Sequence, residues 1–286
     1  RKGKCTVSPN PMVGCVIVRD GRIIGEGWHA CCGENHAEIN AIEQASEPVA
    51  DATVYVTLEP CSHFGRTPPC VQRLIAERPS RVVVGVKDPN PLVAGRGIAA
   101  LRAQGIAVST GVLEEECRAL NEIFFTYITT GRPYVTLKYA STLDGRIAAA
   151  SGHSRWISSP ASRRFAHALR AASDAILVGA GTVRMDDPEL TTRLVRGKNP
   201  LRIVLDSALH LPLTAKILQN QDRAKTMIVT SPGAPSNKMA TLEALGIELL
   251  PIPEKTPGRI DLARLLDDLG KRQIASLLIE GGASVI

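Results

Sequence analysis

Aromatic side chains make up only 3% of this 286-residue chain, and no long run of lysine or arginine is present. Base-stacking platforms for nucleic acid are therefore scarce. The formal net charge of +6 nevertheless suits an anionic partner, and a small one is the simpler reading. No apolar stretch approaches the roughly 20 residues of a membrane helix, and the longest, at 175–181, reads as a buried strand. No signal-peptide pattern opens the chain. Internal repeats and low-complexity tracts are absent. Cysteine is present but not as a disulfide framework: Cys5, Cys15, Cys31, Cys32, Cys61, Cys70 and Cys117 are odd in number and irregularly spaced. A cytoplasmic setting, with some thiols given to a metal, is expected. The chain starts at Arg1 rather than Met and stops at Ile286, inside a strand–glycine–helix junction, so truncation is expected at both ends.

What is present is ordinary for a globular protein: 44% hydrophobic and 22% charged residues. The length predicts two domains at about 150 residues each. In the first half, apolar runs flank Asp20-Gly21, a hairpin signal. Ala37, Ala41, Ile42 and Ala45 recur at helical spacing. Strands are predicted over 53–57 and 81–86, and helices over 70–77 and 97–104, the former opened by Pro68-Pro69. One helix is predicted over 114–128. Residues 129–133 read as a linker, dividing the chain into 1–130 and 131–286. Beyond it, strands are predicted over 134–140, 175–179, 202–206, 226–230, 248–251 and 276–280. A helix starts at Ser159-Pro160, with further helices over 238–245 and 262–270. Both halves thus read as α/β with mostly parallel pairing.

The strongest constellation is His36-Ala37-Glu38, Pro60-Cys61 and Cys70. One imidazole and two thiols are the three protein ligands typical of catalytic zinc, with a fourth position open for water. Zinc lowers the pKa of that water to about 7, and a carboxylate that is not a ligand is then needed to move protons. Glu38 is that carboxylate. Residues two apart diverge on a helix, so His36 and Glu38 converge only at a helix N-terminus. Cys70 also falls at a helix start, and Cys61 is expected to open a helical turn, so three helix starts would meet at one cation.

His-Ala-Glu followed by Pro-Cys and a second Cys resembles the zinc-dependent nucleobase deaminases, in which the glutamate shuttles protons. Their usual Pro-Cys-x-x-Cys is missing, because eight residues separate Cys61 from Cys70. That longer spacing, with Pro9-Asn10-Pro11, Lys87-Asp88-Pro89-Asn90-Pro91 and Val93-Ala94-Gly95-Arg96-Gly97, is similar to the bifunctional deaminase–reductases of riboflavin biosynthesis. The resemblance implies a cytidine-deaminase-like α/β/α zinc domain followed by a dihydrofolate-reductase-like α/β domain. It implies deamination of a diaminopyrimidinone that carries a ribosylamino 5′-phosphate, in a pocket lined by Asn10, His29, His63, Arg66, Asp88 and Asn90. Asn10 and Asn90 also have a plainer reading as turn residues beside prolines.

The second half lacks a Gly-x-Gly-x-x-Gly fingerprint. Gly179-Ala180-Gly181-Thr182 and Gly281-Gly282-Ala283 follow strands and are either phosphate cradles or tight turns. Lys138 is a cation in an apolar strand. The stretches Ser141-Thr142-Leu143-Asp144-Gly145-Arg146 and Asp186-Asp187-Pro188-Glu189-Leu190-Thr191 extend the resemblance. It implies an NADPH-dependent reductase that converts the ribosyl group to ribityl. Ser154, Arg170, Leu190, Arg193 and Glu280 would contact substrate. Lys138, Ala140, Trp156, Thr182, Asp186, Ser207 and Gly282 would contact NADPH. It further implies Zn2+ and NADPH as cofactors, a homo-oligomer, and neither nucleic acid nor membrane as partner. Family members continue past Gly281-Gly282 and begin with an additional helix, so both segments are expected to be missing here. Two other readings stay open at this point: a zinc deaminase acting on RNA, and a protein with a structural zinc.

Overall fold

The computed structural model describes residues 2–65, 68–154, 156–282 and 285. The chain divides into two compact units, Arg1–Gly131 and Arg132–Ile286. No described helix is long and apolar enough to cross a membrane.

The first unit runs β1 (Gly14–Arg19), β2 (Arg22–Trp28), α1 (Ala37–Glu43), β3 (Thr53–Leu58), α2 (Cys70–Glu77), β4 (Arg81–Val86), α3 (Arg96–Ala103), β5 (Ala107–Thr110), α4 (Glu114–Leu120) and α5 (Glu122–Thr130). Its sheet has the order β2-β1-β3-β4-β5. β1 pairs antiparallel with β2 and β3, and β3, β4 and β5 run parallel. Asp20 and Gly21 both take positive φ, the conformation a two-residue hairpin needs. Helices α1 to α3 bury Ala37, Ala41, Leu74, Ile98 and Leu101 against Ile17, Val54, Val82 and Val84. The other sheet face carries the small cluster Leu58, Val86, Cys117 and Phe124. A groove of about 400 Å3 also lies there, lined by residues such as Val16, Trp28, Tyr55 and Val83 and not by the zinc-site residues.

Two expectations need correction here. The single helix over 114–128 is broken at Asn121, whose buried amide accepts from the Met12 N–H (2.7 Å) and donates to the Met12 carbonyl (3.0 Å). That pair of bonds holds φ at −118°, outside the helical range. The linker is also shorter than expected. α5 absorbs Thr129 and Thr130, whose hydroxyls bond back to carbonyls one turn earlier, and Gly131 ends it in the left-handed conformation.

The second unit runs β6 (Tyr134–Lys138), α6 (Pro160–Ala172), β7 (Ala175–Gly179), α7 (Ala180–Asp186), β8 (Leu201–Leu205), β9 (Thr226–Thr230), α8 (Ser236–Ala244), β10 (Glu248–Pro251), β11 (Glu254–Thr256), β12 (Arg259–Ile260), α9 (Leu262–Lys271) and β13 (Ser276–Glu280). The order β10-β9-β8-β7-β13-β6 is parallel throughout, and β11 and β12 form a separate hairpin. Ser159 caps α6 by accepting the Ser162 N–H, and Asp261 caps α9. One apolar cluster joins α6, α7 and α8 to one sheet face, and a second joins α9 to the other. Because every strand is parallel, Lys138, Gly179, Leu205, Thr230 and Glu280 all end at one edge. There β7 and β13, distant in sequence, are neighbours. Such a switch point leaves a crevice for a ligand.

Candidate active sites

In the first unit, His36 Nδ1, Cys61 Sγ and Cys70 Sγ lie within 4.8 Å of one another. His36 Nδ1 is 3.6 Å from the Cys61 sulfur and 3.3 Å from that of Cys70. His36 is the N-cap of α1 with extended backbone, which lets its ring turn toward the same point as Glu38 in the first turn. Cys70 is the first residue of α2, behind Pro69. Cys61 departs from expectation: it opens no helical turn and sits in irregular chain beyond β3. Its sulfur accepts the Cys70 N–H at 3.2 Å, so α2 supports both thiols at once. Two helix starts and one loop, not three helix starts, bring the donors together.

The electrostatics fit a cation. The Cys61 thiol is drawn down to about 4 by the Cys70 thiol beside it, with His36 and the Cys70 N–H adding to the effect. Cys70 is pushed up, first by that shared bond and then by burial. His36 is raised by its bond to Cys61. Burial lifts the Glu38 carboxyl to about 7, and the Cys61 charge adds to the rise. Glu38 Oε2 is buried without a hydrogen-bond partner. A group so placed needs a ligand or a proton to satisfy it. One nitrogen, two sulfurs and an orphaned carboxylate oxygen match the donor set and proton carrier that a three-ligand zinc centre requires.

Around this centre, His29 packs edge-to-face on His36, with ring centroids 5.1 Å apart. Its Nδ1 lies 3.1 Å from the Asn35 carbonyl, which only accepts, so Nδ1 carries the proton. Burial lowers the pKa of the ring. With the proton on Nδ1, Nε2 receives Asn10 Nδ2–H at 3.1 Å, which turns Asn10 Oδ1 away from His29. Asp88 is buried, and burial raises its carboxyl to about 6. Asn90 uses its side chain in a turn to the Leu92 N–H, in keeping with the plainer reading. His63 Nδ1 is buried without a partner. Arg66 lies outside the described residues.

In the second unit, Glu280 at the end of β13 accepts both Arg170 Nε (2.7 Å) and Nη2 (2.8 Å), while Lys138 Nζ stands 3.7 Å away. Burial would raise the Glu280 carboxyl, but Arg170, Lys138 and His167 together hold it below its ordinary value. Arg170 Nη1 donates to the Thr191 carbonyl, next to Leu190, which is buried in the left-handed conformation at φ 53°. His167 Nδ1 receives the Arg193 N–H at 3.1 Å. Thus Lys138, Arg170, Leu190, Arg193 and Glu280 form one neighbourhood. Thr182, in the first turn of α7, stands beside Gly282. A Cβ at Gly282 would meet Thr182 Oγ1 at 3.2 Å, and its φ of 87° also calls for glycine. The Gly282 backbone thus approaches the first turn of α7 closely at the β7–β13 switch point, where backbone N–H groups suit a cofactor phosphate. Ser207 follows β8 at the same edge, and Asp186 is the last residue of α7. Ala140, Ser154 and Trp156 lie in irregular chain between β6 and α6, where Trp156 stacks on the Arg163 guanidinium at 4.1 Å. Sequence reading passed over Glu59 and His167, both buried and hydrogen-bonded; their only signal is a polar residue at a core-facing position.

Two family models match the chain: the cytidine and deoxycytidylate deaminase zinc-binding region over residues 2–86, and the RibD C-terminal domain over 133–286. The riboflavin biosynthesis protein RibD of Aquifex aeolicus is 48% identical over 99% of this chain and 77% of its own length. That of Escherichia coli is 45% identical over 100% of this chain and 79% of its own length. A crystal structure from Thermotoga maritima, described as a diaminohydroxyphosphoribosylaminopyrimidine deaminase/5-amino-6-(5-phosphoribosylamino)uracil reductase, is 43% identical. It superposes with a TM-score of 0.87 over 99% of this chain and 78% of that one. Acinetobacter baumannii RibD gives the same identity and TM-score over the same shares. With both units matched and identity above 40% along nearly its full length, the chain belongs to the RibD family of bifunctional zinc-dependent deaminases and NADPH-dependent reductases of riboflavin biosynthesis.

Proposed function

We propose a division of labour for the residues above. In the first unit His36, Cys61 and Cys70 hold Zn2+, and the substrate is 2,5-diamino-6-(5-phosphoribosylamino)pyrimidin-4-one. Bound zinc supplies a Lewis acid that makes a water molecule acidic near neutral pH. Glu38 takes a proton at Oε2 and hands it to the departing amino group, so that ammonia leaves and the ring gains an oxo group. Asn10, with its amide direction set by His29, offers an acceptor to the ring edge. Asp88 faces the substrate from the loop after β4; His63 is given to the phosphoribosyl group, and Arg66 is given to it on its residue type alone. The observation that carries this reading is the orphaned Glu38 Oε2 beside three converging donors.

In the second unit the cofactor carries the hydride and the protein orients it. Thr182, Ser207 and Gly282 hold NADPH at the β7–β13 crevice, with Asp186, Ala140 and Trp156 along its flank. Arg170, Leu190, Glu280 and Ser154 orient the phosphoribosyl group; Lys138, expected at NADPH, stands 3.7 Å from Glu280 and is given to the substrate side in this reading. Arg193, the exposed cation, meets the phosphate. A small phosphorylated pyrimidine is favoured over RNA by the 3% aromatic content. A structural zinc is disfavoured, since only three donors converge among the described residues. Seven free thiols and an NADPH-dependent step suit the cytoplasm. A homo-oligomer is our reading of the assembly, to be checked by light scattering.

The test is mass spectrometry of the substrate incubated with purified protein, with and without NADPH. Exchange of amino for oxo is expected without NADPH, and a further gain of two hydrogens only with it. Absence of any conversion by zinc-loaded protein contradicts the assignment.

A further inference from the structure

Glu59 stands between β3 and the Pro60-Cys61 turn and is 3% exposed. Among the described residues no cation pairs with it; four backbone N–H groups donate to it instead. Asp88 (3.3 Å) and Gly95 (2.9 Å) bond Oε2, and Gly97 (3.0 Å) and Ile98 (3.2 Å) bond Oε1. Gly97 and Ile98 lie in the first turn of α3, whose N-cap Gly95 has no side chain to offer. A carboxylate from a distant strand therefore does the capping, where the helix dipole also favours negative charge. The approach is close: a Cβ at Gly97 would lie 2.2 Å from the Pro60 carbonyl oxygen, so the first turn of α3 rests on the backbone that leads into Cys61. The 88–97 loop between β4 and α3 is thus tied at both ends to one side chain.

We propose that Glu59 is a positioning residue of the deaminase. It locks the loop that carries Asp88 to the turn that carries Cys61, and so fixes the substrate's polar edge relative to the metal. The proposal rests on the reading of Asp88 as a substrate contact. A carboxylate suits the role because both oxygens accept two N–H groups each. In Glu59→Gln one oxygen becomes an NH2 that faces two donors, and half of the tether is lost.

The experiment uses the full chain with zinc bound. In Glu59→Gln, KM for the diaminopyrimidinone is expected to rise by about 10–100-fold, the range typical of residues that orient a site from behind it. Zinc per chain, measured by elemental mass spectrometry, and reduction of the deaminated intermediate are expected to stay unchanged. A purely structural role would lower both activities, or zinc occupancy, with no selective rise in KM. A double-mutant cycle with Asp88→Asn then reads the path of action: coupled effects are expected, and strictly additive ones overturn the proposal. Wild-type KM in Glu59→Gln also overturns it. An unchanged KM in Asp88→Asn alone sinks the reading of Asp88 instead. The Glu59 tether is then decided by hydrogen exchange in the unmodified enzyme, which also serves if Glu59→Gln fails to fold. The amides of Asp88, Gly95, Gly97 and Ile98 are expected to be protected as one group, and exchange at open-loop rates overturns the tether.

Discussion

Glu38 is held in the setting where a carboxylate is hardest to keep charged: buried, beside the Cys61 sulfur, with one oxygen unpartnered. Glu38→Gln keeps its size and removes the proton-accepting oxygen. Deamination is expected to fall by about 100- to 10,000-fold. Zinc content should not change, because Glu38 is not among the three donors. Full turnover in this variant would remove Glu38 from the mechanism. At the second site, Glu280 is buried and its bidentate partner is Arg170. Arg170→Met takes away both of that carboxylate's charge-assisted hydrogen bonds and leaves Lys138 at 3.7 Å, and stability in urea should fall by about 3 kcal/mol. His167 gives a pH dependence. Burial, then the charges of Arg170 and Arg193, hold its imidazole down at about 4 in the fold. In the unfolded chain it titrates near the ordinary value of about 6.5. Between these values the unfolded chain binds a proton that the native one does not. Its stabilising contribution is therefore complete above about pH 6.5 and is lost as pH falls through about 4. The urea midpoint should drop across that window in the wild type and drop less in His167→Asn.

Asn121 shows how an element boundary can be set from afar. It divides α4 from α5 through two bonds to Met12, 109 residues earlier in the chain. Asn121→Ala removes both bonds and leaves a Met12 N–H and carbonyl unpaired. A loss of about 2 kcal/mol is expected by urea denaturation, and an unchanged midpoint would show the break to be intrinsic to the local sequence. That partner explains why residues 114–128 read as one helix: nothing local interrupts the apolar spacing. Features with local causes were legible. Asp20-Gly21 makes the hairpin, and Ser159-Pro160 opens α6 with the hydroxyl accepting from Ser162. The helix starts at His36 and Cys70 were legible for the same reason, since proline and the convergence of His36 with Glu38 are sequence-level constraints. Cys61 was not, because its place depends on the Cys70 N–H that bonds its sulfur. Glu59 was invisible for a similar reason: its partners at 88–98 become neighbours only once β3 and β4 pair.

At the scale of the whole chain, two units with separate cores carry two chemistries. The metal donors all belong to Arg1–Gly131, and the β7–β13 crevice belongs to Arg132–Ile286. The chain spans roughly three quarters of the length of the curated relatives it matches. This arrangement makes zinc removal a selective lesion. On the proposed reading His36, Cys61 and Cys70 would hold the metal between the N-terminal end of α1, the first residue of α2 and the chain beyond β3, so its loss would leave two thiols and an imidazole clustered with no shared cation. A ligand bound only by the native state adds stability in proportion to the logarithm of its concentration over Kd, and that increment disappears on chelation. Treatment with a chelator should therefore abolish deamination and lower the melting transition of the first unit. NADPH oxidation with the deaminated intermediate as substrate should continue at its original rate, because the three converging donors among the described residues all lie in the first unit. Zinc added back should restore deamination. If chelation silences both reactions together, the second unit depends on the first for its active structure, and the independence of the two cores does not extend to function.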